Sequence, residues 1–261
     1  MLDDLIKERL RKKENFEKAG HPAYPASSKR THTIGEVLKN FTALARAKKR
    51  ITIAGRVTGL RQQGGVSFAD ISDASVKIQA VFRAEITKQY ELFRDNVDIG
   101  DFLEAAGPLF TTKRGEKSID AKQMRLLAKS VRPVPSHWYG LSDVETRLRK
   151  RYLDLLTHPE LRELFAKKAA FWSAVRTFLT REGFLEVETP TLEATPGGAD
   201  ARPFVTHLNA LAIDLYLRIS LELNQKRLLV AGYEKIFEIG RVFRNEGIDA
   251  EHLQDYTAME F

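Results

Sequence analysis

Cysteine is absent from the 261 residues. This excludes a disulfide framework, a thiolate metal site and a cysteine nucleophile, and it accords with a cytosolic protein. No apolar run approaches membrane-spanning length, and the opening stretch MLDDLIKERLRKKENF is too charged for a secretory signal. Internal repeats and low-complexity tracts are also missing. What is present is an ordinary globular balance, 43% hydrophobic and 30% charged. The length suffices for two domains, each with its own core.

Charge is unevenly spread. The net charge is +7, and the first fifty residues hold thirteen Lys or Arg against six Asp or Glu, so the whole excess lies there. A basic arm on a balanced body points to a polyanionic partner, a solvated helix face being the plainer alternative. Within the arm, Leu2, Leu5, Ile6 and Leu10 form a helical stripe that should end near Gly20, before His21-Pro22. A second short helix is expected over 33–40.

From Ile51 to about Pro133 the pattern changes to short alternating runs: ITIAGRVTGLR, VSFADISD, VKIQAVFR, DFLEAAGPLFTT and EKSIDAKQMRLLAK. Five short strands in about eighty residues predict a small closed barrel, best matched by an OB-fold, with a helix near 86–93 between the third and fourth strands. Val131-Arg132-Pro133-Val134-Pro135 is an extended linker. A long amphipathic helix is expected from Leu161 to Glu182, with Leu161, Leu164, Phe165, Trp172, Val175, Phe178 and Leu179 on one side and Gly183 ending it. The strand Leu185–Glu188 follows, stopped by Pro190.

The last stretch, YEKIFEIGRVFRNEGIDAEHLQDYTAMEF, reads as two strands joined by the loop Gly247–Gln254. Phe237, Ile239 and Phe243 share a face expected to be buried. Glu238, Gly240, Arg244 and Glu246 share the other, and antiparallel pairing would add Tyr256 and Glu260 to it. Such a floor suits a phosphate at Arg244, a stacked ring at Tyr256 and a cationic amine at the carboxylates, with Gly240 leaving room for a ligand near the backbone. A solvated face of salt-bridged charges is the bland alternative.

FRNEG followed by His252, Tyr256-Thr257 and Glu260 resembles motif 2 of the class II aminoacyl-tRNA synthetases, in detail the lysine-specific members. The helix followed by FLEVETP resembles motif 1, whose strand and Pro190 lie at the dimer interface. The five-strand region resembles the anticodon-binding domain of the lysine, aspartate and asparagine enzymes. The fold class implied is α+β: a basic helical extension (1–50), a five-stranded OB-fold β-barrel that binds the anticodon (51–135), a hinge (136–160) carrying Arg147, Arg149, Arg151 and Tyr152 as interdomain or dimer contacts, and the first part of a class II catalytic domain, an antiparallel sheet flanked by helices (161–261).

The resemblance implies a cytoplasmic, homodimeric ligase that attaches lysine to tRNA(Lys) through a lysyl-adenylate, with no membrane partner. By it Arg244 is catalytic and binds ATP with Glu246, His252 and Tyr256, while Gly198, Glu222 and Glu260 bind lysine. Phe68, Gln79 and Gln123 are anticodon contacts by the same argument. Tyr256 stands where the family commonly has Phe, Leu253 where it has Asn after the His, Gln123 where an acid is usual and Gly65 where Lys is common. Glu222 stands where the aspartate and asparagine enzymes carry Gln, and an extra carboxylate favours a cationic substrate. Magnesium is expected to offset the triphosphate charge, on ligands beyond Phe261 rather than in this chain. Motif 3 is likewise expected beyond Phe261, and the chain alone is expected to be inactive or poorly soluble. The alternatives are an aspartate or asparagine ligase, a paralogue that lysylates a protein, and a tRNA-binding regulatory remnant.

Overall fold

A computed structural model describes residues 2–73, 76–135, 143–247, 249 and 252–261. In chain order the elements are α1 (Leu2–Lys18), α2 (Ile34–Lys39), α3 (Phe41–Arg46), β1 (Ile51–Gln63), β2 (Val66–Asp73), β3 (Val76–Arg83), α4 (Tyr90–Asn96), β4 (Phe102–Gly107), β5 (Leu109–Thr111), β6 (Lys117–Asp120) and β7 (Gln123–Ala128). They continue as α5 (Val144–Arg149), α6 (Arg151–Thr157), α7 (Leu161–Arg181), β8 (Leu185–Glu186), β9 (Leu192–Glu193), β10 (Val205–Leu208), β11 (Ile213–Leu217), α8 (Glu222–Val230), β12 (Ile236–Phe243) and β13 (Asp255–Glu260). The chain divides into two compact units, Met1–Pro159 and Glu160–Phe261.

In the first unit the seven strand segments are five strands. Pro108 has no N–H to give a ladder and separates β4 from β5. At Ala121 and Lys122 the last strand changes partner: the Ala121 N–H donates to Val81 O and the Lys122 N–H to Ala106 O. The pairings run in a ring, β1 with β2, β2 with β3, β3 parallel to β6, β6 with β5, β7 with β4, and β4 back to β1. That ring is the five-stranded OB-fold barrel the alternation predicts. Its interior follows the two-residue period: Ile51, Ile53, Val57, Ala69, Ile71, Ile78, Ala80, Phe82, Leu103 and Ile119 are all buried. Helix α4 lies between β3 and β4, as expected, and stacks Phe93 on Phe82 with ring centroids 3.9 Å apart. Each such buried ring contributes about 1.5–3 kcal/mol of transfer free energy.

Helix α1 is not seated by its apolar stripe. Leu2, Leu5 and Leu10 of α1 are exposed, and only Phe16 is buried. The helix is seated by polar bonds instead. Lys12 pairs with Asp98 at 2.6 Å, Asn15 donates to Asn96 Oδ1 at 2.7 Å and Arg9 donates to Ser130 O at 2.6 Å. Asp98 also receives the buried Lys129, which bonds Asp101 as well. Helix α2 starts with a capping box in which Thr33 Oγ1 accepts from the Glu36 N–H and the Glu36 carboxylate accepts from the Thr33 N–H.

Residues 136–142 of the expected hinge lie outside the described residues, and 144–157 form α5 and α6. There Arg147 and Arg151 both bond the buried Asp154, at 2.8 and 2.5 Å. Burial alone would raise this carboxyl, but the two guanidinium hydrogen bonds outweigh it and hold the group below the usual carboxylate range. Arg149 pairs with Glu145, and Tyr152 is exposed.

The second unit contains two small sheets. β10, β11 and β9 are antiparallel neighbours in that order. β12 pairs antiparallel with β13 and parallel with β8. Helix α7 has the predicted length, but its apolar side is mostly open: Leu179 is buried, whereas Leu164, Phe165 and Phe178 are exposed. Among the described residues of this unit nothing covers them.

Candidate active site

The hairpin β12–β13 is antiparallel as expected, with Glu238 opposite Glu260, Gly240 opposite Ala258 and Val242 opposite Tyr256. The register therefore puts Glu238, Gly240, Val242, Tyr256 and Glu260 on one face. Past the end of β12, the Arg244 N–H still donates to Gln254 O at 2.8 Å, and the Arg244 guanidinium carbon lies 5.6 Å from the Tyr256 ring centroid. Arg244 Nε is buried and has no hydrogen-bond partner. A buried guanidinium nitrogen without an acceptor fits an anion arriving at the floor.

Two expectations about this floor are corrected. Glu238 is 2% exposed rather than open, and Phe243 and Ile239 of the opposite face are only half-buried. Glu238 is buried by Arg218, which follows β11. Its Nη1 donates to Glu238 Oε1 at 2.7 Å and to Thr189 O at 3.0 Å, its Nε donates to Arg241 O at 2.8 Å, and Thr189 Oγ1 donates to Glu238 Oε2 at 2.7 Å. The buried Arg218–Glu238 pair thus has a hydrogen-bonding partner on both sides, which a charge pair out of water requires. Gly240 does not leave room for a ligand: Arg218 Nη2 occupies the space a side chain there would take.

The three residues assigned to lysine meet at Ser220, which the sequence reading missed. Ser220 Oγ donates to Glu260 Oε1 at 3.3 Å and accepts from the Glu222 N–H at 3.1 Å. Gly198 has φ +83, and a side chain on it would lie 2.9 Å from Ser220 Oγ and 3.1 Å from the Glu222 Cβ. Both conformation and space require glycine there. Glu260 Oε1 also accepts from the Leu221 N–H at 3.3 Å, and Gln225 donates to Glu260 O at 3.2 Å. The Glu222 carboxylate pairs with Lys226 one turn along α8, so an ammonium group already sits on it.

A second missed residue is Glu193, at the end of β9. Its Oε1 accepts from Asn224 at 2.8 Å, while its buried Oε2 has no partner. Burial pushes this carboxyl above its ordinary value, with the Asn224 bond and the Arg218 and Arg227 charges opposing in part. Nothing in TLEATPGG marks the residue, because its burial depends on α8.

Glu246 is exposed at the loop, and His252 is exposed with Nδ1 2.7 Å from Asp249 Oδ2. Among the described residues no hydrogen bond or ion pair joins either to Arg244. A shallow cavity of about 450 Å³, lined by Trp172, Arg176, Ile239 and Arg241 among others, lies on the α7 side of the sheet, away from the carboxylates. Among the described residues no group of three or more His, Asp or Glu could hold a metal ion.

On the barrel, Phe68 and Gln79 share the outer face of β2 and β3, since Phe68 pairs with Val81 and Asp70 with Gln79. Phe68 is half-buried, with the Arg61 guanidinium carbon 5.8 Å from its ring centroid. Gln79 is 8% exposed and its Oε1 accepts from Ser118 Oγ at 3.1 Å, so that acceptor is already engaged. Gln123 lies on β7 beside β4, and its Oε1 accepts from Arg50. Among the described residues no hydrogen bond joins it to the other two.

Two family models match the chain. One, described as tRNA synthetases class II (D, K and N), matches residues 143–261; the other, described as OB-fold nucleic acid binding domain, matches residues 51–127. Curated relatives match along nearly the whole chain. The lysine–tRNA ligase of Roseiflexus sp. (strain RS-1) is 48% identical over 262 residues, 99% of this chain and 54% of that protein. The corresponding ligase of Moorella thermoacetica is 45% identical over 99% of this chain and 53% of that protein, and that of Fervidobacterium nodosum 40% over 100% and 52%. The chain spans about half the length of the curated relatives it matches. No helix among the described residues is long and apolar enough to cross a membrane. With a nucleic-acid-binding barrel and a floor of paired strands both matched in sequence, the chain belongs to the class II tRNA synthetases of the D, K and N group.

Proposed function

We propose that this chain serves the ATP-dependent attachment of lysine to tRNA(Lys) through a lysyl-adenylate. The observation that carries the reading is the meeting of Glu222, Glu260 and Gly198 at Ser220, on the hairpin face that bears Arg244 with its unpartnered Nε. Carboxylates suit the ammonium groups of lysine, and substrate lysine would take the place of Lys226 on Glu222. Arg218 has no charge to offer an acidic substrate there, because it is committed to Glu238 and Thr189.

In the first step the lysine carboxylate attacks the α-phosphorus of ATP and pyrophosphate leaves. In the second, the terminal ribose of tRNA takes lysine from the adenylate. Neither step needs a protein nucleophile, so the residues act by positioning and by charge. Arg244 would hold the α-phosphate and the attacking carboxylate with its planar fork, Tyr256 would stack on the adenine, Glu246 would meet the adenine amino group and His252 the outer phosphates. Gly198 would offer its backbone to the amino acid. Magnesium would accompany the triphosphate and offset its charge. Phe68, Gln79 and Gln123 would contact the anticodon on the barrel. The exposed apolar side of α7 would meet a second copy of the chain in a homodimer.

The test is amino-acid-dependent ATP–pyrophosphate exchange by the protein expressed from its whole reading frame. Exchange is expected with lysine alone, and Arg244→Ala is expected to lower it by about 10²–10³-fold, as loss of a transition-state donor does. Exchange supported by aspartate or asparagine, or none with any amino acid, would overturn the reading.

A further inference from the structure

The first fifty residues are basic, but their two parts differ. Residues 1–20 carry six basic and five acidic side chains, whereas residues 21–50 carry seven basic and one acidic. In α1 four of the six cations are ion-paired, Arg11 with Glu8, Lys13 with Glu17, Lys18 with Glu14 and Lys12 with Asp98, and Arg9 donates to the backbone carbonyls of Ser130 and Ile99. In the later part the single acid, Glu36, is spent on the α2 capping box. Lys29, Arg30, Arg46, Lys48 and Lys49 are exposed, and no ion pair involves them among the described residues. Arg50 donates to the neutral Gln123.

The fold gathers these cations at one side of the barrel. The Thr31 N–H donates to Thr52 O at 2.9 Å and the Thr52 N–H to Thr31 Oγ1 at 3.0 Å, so Lys29 and Arg30 run beside the start of β1, where Arg50 also lies. Lys48 and Lys49 form the turn between α3 and β1, with Lys48 at φ +51. Lys117 Nζ lies 5.3 Å from the Phe41 ring centroid at the head of α3, and the next residue, Ser118, bonds Gln79. Lys117 and Ser118 thus join the head of α3 to Gln79 on the face that also bears Phe68.

We propose that this patch, from Lys29 to Arg50, and not the helix α1, is the surface that holds the phosphate backbone of an RNA stem-loop. The inference deepens the tRNA reading above and rests on it. Cations without carboxylate partners release counterions on meeting phosphates, which gives affinity with a salt slope of about 0.7 to 0.9 per contact. Helix α1, nearly neutral, has little such attraction to give.

The experiment is fluorescence anisotropy of a labelled tRNA(Lys) anticodon stem-loop with the full chain, between about 50 and 300 mM salt. Arg46→Gln/Lys48→Gln/Lys49→Gln should lower the slope of log affinity against log salt by about 2 to 3 and weaken binding at least tenfold at low salt. Lys7→Gln/Arg11→Gln/Lys18→Gln in α1 should change the slope by less than about 1. All six side chains are at the surface, and circular dichroism would confirm that both variants fold. An unchanged slope in the 46–49 variant, or an equal loss in the α1 variant, would overturn the inference and leave the tRNA reading standing. A wild-type chain that fails to bind the stem-loop would overturn both.

Discussion

The two units of the chain spend their apolar residues in opposite ways. The barrel turns nearly every large aliphatic side chain inward, and the pairings of its strands run in a ring. Its buried charges are matched: Lys129 lies between Asp98 and Asp101, and Glu104 between Arg125, Ser28 and the Lys29 N–H. The second unit leaves Leu164, Phe165, Phe171 and Phe178 in solvent along α7, and the buried Oε2 of the half-buried Glu193 without a hydrogen-bond partner. A closed core makes a platform; an open apolar face and uncompensated polar atoms mark surfaces that still have something to bind.

The largest test of this contrast is truncation of a ring on each side. Phe82→Ala removes the partner of Phe93 from the closed core and should cost the barrel about 3–5 kcal/mol in urea unfolding, followed by hydrogen exchange of β1 to β4. Phe165→Ala should change the second unit by less than about 0.5 kcal/mol. A comparable loss at Phe165 would show that the α7 face is covered in solution, and a concentration-dependent loss would identify the cover as a second copy.

Next in size is the buried pair beneath the floor. Glu238→Leu leaves Arg218 buried without its carboxylate and should cost about 3–5 kcal/mol. Arg218→Met/Glu238→Leu together should cost less than that single change, because no orphan charge remains. If the double variant is as unstable as the single, the hydrogen bonds to Thr189 O and Arg241 O carry the stability rather than the pair. A smaller effect belongs to the barrel side, where Thr33→Ala breaks the capping box and should cost about 1 kcal/mol in thermal unfolding. Helices α7 and α8 begin with no side-chain cap, so the second unit has no comparable loss to show.

The barrel was legible because strand pairing there follows a local signal. Ile51, Ile53 and Val57 or Ile78, Ala80 and Phe82 announce an inward face within one strand, and only the breaks at Pro108 and Ala121 turned five strands into seven segments. The hairpin was legible for the same reason. What could not be read was how distant polar groups cancel. Arg218 looks like any charged residue in LYLRIS, and its partners Thr189 and Glu238 lie 29 and 20 residues away. Ser220 is visible only once Gly198, Glu222 and Glu260 have been brought around it. The apolar stripe of α7 was seen, but periodicity says that a face is apolar, not what covers it.

The smallest effect is the one that separates the units by sign. Burial raises the Glu193 carboxyl above its ordinary 4.5. Between that value and the folded-state value the folded chain holds more protons than the unfolded one, so stability falls as pH rises through the window. The Glu193 contribution is therefore complete below pH 4.5 and lost toward neutrality. Glu104 behaves oppositely. Burial would raise it too, but Arg125, the Lys29 N–H and Ser28 outweigh this and hold it below its ordinary value. Its contribution is complete above pH 4.5 and lost as pH falls through the lower, folded-state value. Acidification from neutrality should thus first firm the second unit and then loosen the barrel, read by hydrogen exchange of β9 and α8 against β4 and β7. Glu193→Gln keeps the acceptor for Asn224 and removes the charge, so it should abolish the first trend and leave the second. A second unit that still firms on acidification in this variant would mean that another group carries the effect, and that the unpartnered oxygen of Glu193 is not a weak point of the fold.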